Sequence, residues 1–137
     1  MRYSTQGALK LAAAQRTEMA AAEVRLWQYG ALVPDDATTL AEFDAAAADY
    51  TGYAAAVVTW QAAGLLPGGG ASYQGSVQFA TASPYTTPNT IGGFYLVDTT
   101  GTDAVIGYQA FAAPGVPMQT AGQIIPITIL MPTGVNS

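Results

Sequence analysis

Apolar and polar positions alternate with a period of two over much of the chain. In Ala22–Tyr29, Ala22, Val24 and Leu26 share one side, while Glu23, Arg25, Trp27 and Tyr29 share the other. Successive side chains of a strand point to opposite faces, so the pattern predicts a half-buried strand with Glu23 and Arg25 on its wet side. Ala54–Trp60 predicts a second strand. Tyr73–Thr81 predicts a third, with Tyr73, Val77 and Phe79 opposed to Gln74, Ser76, Gln78 and Ala80. Gly93–Val97, within the run Ile91–Val97, and Ala104–Phe111 flank Asp98-Thr99-Thr100-Gly101-Thr102-Asp103, a short Gly-containing loop that marks a hairpin. In the last strand, Gln123–Met131, Ile125, Ile127, Ile129 and Met131 lie on one face, and Ile124, Pro126 and Leu130 on the other. Pro126 donates no ladder hydrogen bond, so this strand is an edge or is bulged there. Both of its faces are apolar, which predicts cover on both.

Between these runs the punctuation changes. Pro34, Asp35 and Asp36 make a turn, and Thr39 followed by Glu42 matches a capping box that opens a short helix from Leu40 to about Ala48, with Leu40 and Phe43 on its buried face. Tyr50-Thr51-Gly52-Tyr53 closes that unit. Ala63–Gly70 is rich in Gly and is predicted to hold no regular structure, Ser83–Thr90 is a Pro/Thr/Asn loop, and Ala113–Gly122 is a further Pro/Gly loop. At the start of the chain, Ser4 or Thr5 suits the cap of a helix over Gly7–Gln15, but Leu9, Leu11 and Ala13 suit an extended arm equally well. The expected fold is all-β: a two-sheet sandwich of jelly-roll type over residues 22–137, with one short crossover helix, preceded by an N-terminal arm over residues 1–21.

Charge alters this picture of an ordinary domain. Only 9% of the 137 residues are charged, against roughly 25% in an average soluble domain. All four basic residues, Arg2, Lys10, Arg16 and Arg25, fall in the first 25 positions, and Tyr50–Val97 and Ala104–Ser137 contain no charged residue. Such a chain either hides its exterior against neighbours or relies on Thr, Ser, Gln and Gly for solubility, and assembly is the favoured expectation. A net charge of −5 without a basic cluster excludes the usual chemistry of nucleic-acid and anionic-membrane binding. The first 22 residues hold no uninterrupted apolar stretch and read as no export signal, and no apolar run approaches the ~18 residues of a membrane span.

The catalytic repertoire is correspondingly thin. The chain has no His and no Cys, so the commonest general base, thiolate nucleophiles and the usual zinc, copper and haem ligands are missing. Ser72 and Ser76 are strand residues rather than elbow nucleophiles, and Gly68-Gly69-Gly70 lacks the Lys-Ser/Thr of a phosphate loop. Asp35, Asp36, Glu42, Asp44 and Asp49 offer carboxylates for glycoside chemistry, and Asp98 with Asp103 offers oxygens for calcium. Turn and helix-terminus solvation accounts for all of them more simply. The expectation is a protein that is not an enzyme and binds no cofactor or metal.

Binding candidates are aromatic and aliphatic. Trp27 and Tyr29 fall on the charged side of their strand, Tyr85 lies in a Pro/Thr loop with little core to enter, and Ile124 and Leu130 lie on the second apolar face of the last strand. These five are the expected interface residues, with core or rim packing as the alternative for the aromatics.

Glu23-Val-Arg-Leu-Trp-Gln, Val33-Pro-Asp-Asp-Ala-Thr-Thr-Leu-Ala-Glu-Phe-Asp and Tyr50-Thr-Gly-Tyr53 resemble small structural proteins of tailed-phage virions, in which a strand leads to a P-x-D-A-T-x-L-A-D/E-F turn and helix and then Y-x-G-Y. The Gly93-Phe-Tyr-Leu-Val-Asp and Gly107-Tyr-Gln-Ala-Phe hairpin is similar too, so the resemblance covers about Ala22 to Phe111. It implies a β-sandwich with a building role in the virion and supplies no catalytic residues. On this reading the chain is a capsid decoration or cement subunit, made in the host cytoplasm, that contacts the major capsid protein or other virion proteins as a homo-oligomer, with a trimer expected. A tail, baseplate or fibre component that binds a host glycan, and a free carbohydrate-binding module, are the alternatives.

Overall fold

The computed structural model describes residues 2, 4–67 and 69–133. Its elements in chain order are α1 (Thr5–Glu18), β1 (Glu23–Gln28), α2 (Leu40–Ala45), β2 (Ala56–Val57), β3 (Thr59–Trp60), β4 (Gly64–Leu65), β5 (Ala71–Ala80), β6 (Asn89–Asp98), β7 (Ala104–Ala110), β8 (Val116–Met118) and β9 (Ile124–Thr133). They form two antiparallel sheets. In sheet A, β6 pairs with β1 on one edge and with β7 and β8 on the other, and β2 continues beyond β1. In sheet B, β9 flanks β5 on one edge while β3 and β4 share the other. The fold is the expected all-β two-sheet sandwich.

The alternation read from the sequence sets the interior. Val24 and Leu26 of β1, Phe94 and Leu96 of β6, Val77 and Phe79 of β5, and Ile125, Ile127 and Ile129 of β9 meet in one buried cluster between the sheets. The stretch Ala54–Trp60 is not one strand. β2 pairs with β1 in sheet A and β3 with β5 in sheet B, and the buried Val58 between them marks where the chain crosses from one sheet to the other. Two of the predicted loops also contribute strands: β4 lies within Ala63–Gly70 and β8 within Ala113–Gly122. A strong neighbouring strand, β5 or β6, supplies the ladder that local composition does not announce.

Sheet A is covered on its other face as well. The short helix α2, capped by Thr39 accepting from the Glu42 amide at 3.2 Å, lays Phe43 over β1 and β6. Trp27, Phe43, Ala46, Tyr95 and Val97 form a second buried cluster there, with the Phe43 and Tyr95 rings stacked at 4.6 Å and Trp27 tilted against Phe43 at 5.6 Å. Gly92 and Gly93 make room for the indole. A Cβ on Gly92 would sit 2.6 Å from Trp27 Nε1, and one on Gly93 would overlap the ring's far edge. Trp27 is therefore 2% exposed, and the expectation that it anchors a partner is overturned: the side of β1 that looked wet is roofed by α2.

Residues 5–18 do not extend away from the sandwich. They form α1, with Ser4 as its cap accepting from the Gly7 amide at 3.0 Å. The fully buried Ala8 and Ala12 let the helix lie close on Ala71 and Tyr73 at the end of sheet B's inner face that sheet A does not cover. Gln15 and Thr133 hydrogen-bond at 2.5 Å, and Trp60 Nε1 donates to the Met19 carbonyl just past the helix at 2.8 Å. The helix alternative is the one that folds, because Ala at i and i+4 gives a smooth face for a sheet.

Two stability measurements check this packing. Trp27→Ala removes the centre of the second cluster, and chemical denaturation should show a loss of about 3–5 kcal/mol. The Tyr73 hydroxyl is buried without a hydrogen-bond partner among the described residues, so Tyr73→Phe should leave stability unchanged or raise it by about 1 kcal/mol in the same assay.

Candidate interaction surfaces

The carboxylates hold the chain together. Asp35 accepts from the Ala37 amide at 2.8 Å and Asp98 from the Thr100 amide at 2.9 Å, each closing its own turn. Asp49 accepts from the Asn89 side chain at 2.8 Å. Arg25 draws three more together: Nε donates to Glu23 at 2.7 Å, Nη1 to both oxygens of Asp44 at 3.1 Å and Nη2 to Asp103 at 3.2 Å. This guanidinium ties β1, α2 and the β6–β7 loop to one point. Partial burial works against its charge, but the hydrogen bonds and charges of Glu23 and Asp44 outweigh that and hold its pKa above the usual value. Tyr95 completes the network by donating to Asp44 Oδ1 at 2.6 Å. Among the described residues no three His, Cys, Asp or Glu side chains converge as a cation site.

What the molecule presents to its surroundings is of two kinds. The first is the outer face of sheet B. Ile124, Pro126, Thr128, Leu130 and Pro132 of β9 stand opposite Ala80, Gln78, Ser76, Gln74 and Ser72 of β5. Every element of this sheet lies in the stretches without Asp, Glu, Lys or Arg, so the sheet itself bears no charge. Ile124 is 54% and Leu130 57% exposed. The expectation that this side of the strand is covered is therefore not met within one chain. An uncharged groove of about 480 Å³ beside it is lined by Val57, Thr59, Ser76, Gln78, Pro126 and Thr128 among others. As Pro126 foretold, β9 is an edge strand among the described residues, pairing only with β5.

The second lies where β1 runs out. Tyr29, 49% exposed, joins Leu32, Val33, Pro34 and Phe111 around a pocket of about 240 Å³ whose floor includes Trp27 and Gly92. Val33 is 92% exposed, and Asp35 and Asp36 follow after Pro34. The strand readings did not single out Val33, which lies outside every predicted strand, or Val57, which lies within Ala54–Trp60. Their signal is only that they are apolar where the chain is exposed.

The five expected interface residues thus separate. Tyr29, Ile124 and Leu130 are exposed, the first on a different surface from the other two. Trp27 is buried under α2. Tyr85 packs against the main cluster and its hydroxyl donates to the Met118 carbonyl, so its loop folds back onto the core rather than presenting a ring outward. No family model, no curated protein and no solved structure matches this chain.

Buried tyrosines give the fold a pH dependence. Burial first, then the neighbouring Tyr53 and Tyr85, pushes Tyr50 up to about 12 from 10.0. Burial and the bond to Asp44 raise Tyr95 as well. A group whose folded pKa is raised contributes stability that is complete below its unfolded pKa and is lost as pH rises through the folded one. Denaturation midpoints should therefore hold level up to about pH 10 and fall steeply between about 10 and 12.

Proposed function

We propose that this chain is a non-enzymatic structural subunit of a tailed-phage virion, a capsid decoration protein that lies on the lattice of major capsid protein as a closed oligomer, with a trimer expected. The observation that carries the reading is the charge-free outer face of sheet B, with Ile124 and Leu130 more than half exposed on it. A soluble domain rarely leaves a face of this kind bare unless something binds there. The sequence resemblance over Ala22–Phe111 supports the virion assignment.

Chemistry favours the face over the edge as the contact. Pro126 and Pro132 have no amide to give to a further strand, which discourages strand addition along β9. The side chains of Ile124 and Leu130, level with the small and polar Ala80 and Gln74 of β5, offer instead a flat apolar row rimmed by amides and hydroxyls. That composition suits a protein partner in the sense that binding sites concentrate apolar anchors within a polar rim.

Co-sedimentation with empty capsids tests the reading. The wild-type chain should saturate the particles, and Ile124→Glu with Leu130→Glu should weaken binding by at least about thirtyfold, roughly 2 kcal/mol, the usual size of a hot-spot loss. Because both side chains are exposed, the double variant should unfold within about 0.5 kcal/mol per site of the wild type. Wild-type protein that stays in the supernatant, or a variant that binds as well as the wild type, would refute the assignment of this face.

A further inference from the structure

The charges that sheet B lacks are sorted between two other places. Residues 1–18 carry three basic residues and one acidic residue, net +2, while the remainder carries one basic and eight acidic, net −7. Among the described residues every ion pair runs through Arg25, so Lys10 and Arg16 of α1 are unpaired, as are Asp35, Asp36 and Glu42 at the approach to α2 and in its first turn. Lys10, Asp35, Asp36 and Glu42 are all exposed. The same two places carry matching apolar features. Leu11, next to Lys10, is 43% exposed on α1. Beside Asp35 lies the pocket of Tyr29, Val33 and Pro34.

The pocket's size bears on what enters it. Sites for free ligands enclose roughly 300–1,000 Å³ and fix their occupant with several polar groups. This one has about 240 Å³ and walls that are almost all apolar, which fits one inserted aliphatic side chain better than a metabolite. Asp35 and Asp36, which follow Pro34 of its wall, line a neighbouring hollow with Phe43 and Tyr108, so a basic residue next to the inserted side chain would meet negative charge there. A Leu adjacent to a Lys on an exposed helix is present in the chain itself.

We propose that α1 of one copy docks on the Tyr29–Glu42 surface of a second copy, with Leu11 entering the pocket and Lys10 and Arg16 facing Asp35, Asp36 and Glu42. The contact joins two different patches, so repetition of it closes a ring if the rotation allows. Two chains of net charge −5 repel one another, and this pairing sets the positive segment of each against the negative segment of its neighbour. The inference rests on the subunit reading for its setting, but it concerns a surface distinct from the capsid-facing sheet.

Charge exchange tests it in solution without capsids. Lys10→Glu with Arg16→Glu, and separately Asp36→Lys with Glu42→Lys, should each shift the light-scattering mass from oligomer to monomer, or weaken association at least tenfold, while circular dichroism stays that of the wild type. An equimolar mixture of the two variants should recover association, because each then offers the charge that the other lacks. Leu11→Asp should abolish association by itself. Oligomers that persist in both double variants, or a mixture that stays monomeric, would overturn the contact and leave the capsid-facing role of sheet B standing. A wild type that is monomeric at every concentration would overturn the contact too, whereas loss of capsid binding by an intact oligomer would count against the virion reading alone.

Discussion

Strand β6 is paired along both edges and packed against on both faces, and the rest of the molecule is arranged around satisfying it. From Ile91 to Val97 every residue is buried. One face meets sheet B through Phe94 and Leu96; the other meets Trp27 and Phe43 through Tyr95 and Val97. A strand in this position leaves no backbone group to water, so β1, β7 and β8 must take up its amides and carbonyls. The side chains need the same completeness. Gly92 and Gly93 give the indole of Trp27 its place, α2 closes over it, and Arg25 with Asp44 pins α2 to the strand beneath.

The two sheets consequently have opposite relations to their surroundings. Sheet A is covered on both faces along β1 and β6 and carries most of the molecule's acidic groups near its roof, where one guanidinium gathers three of them. Sheet B is packed against on one side, by sheet A over most of its length and by α1 over its end, and among the described residues is bare and uncharged on the other. The groups that hold the fold together and the groups left exposed lie on different parts of such a chain. Substitutions on the outer row of β9 or on the solvent side of α1 touch groups that fold stability does not need, whereas those at Trp27 or Gly93 touch the packing of β6 itself.

Strand positions and their inward residues were legible wherever one face is buried and the other wet. Val24, Leu26, Val77, Phe79, Ile125, Ile127 and Ile129 all point inward as their spacing requires. So were the Thr39 cap, the β6–β7 hairpin and the edge position of β9, because each depends on residues within a few positions of one another: a hydroxyl and an amide, a Gly loop between two runs, a proline without an amide. The candidate surface was legible in part. Ile124 and Leu130 were found from the unusual apolarity of both faces of one strand, and Tyr29 from its outward phase.

The sequence by itself determined the fold class, the inward face of each long strand and the absence of charge over sheet B, since these follow from local spacing and from which residue types occur at all. Only the tertiary structure decided which outward faces stay outward. Trp27 and Leu130 both occupy the side of a strand opposite the main core, yet α2 arrives over one and no element among the described residues arrives over the other. Tyr85 turned inward because its loop folds back onto the main cluster, and α1 took its place because sheet B outreaches sheet A. These outcomes depend on contacts between segments distant in sequence, and periodicity within a segment records whether a face is apolar but not what comes to cover it.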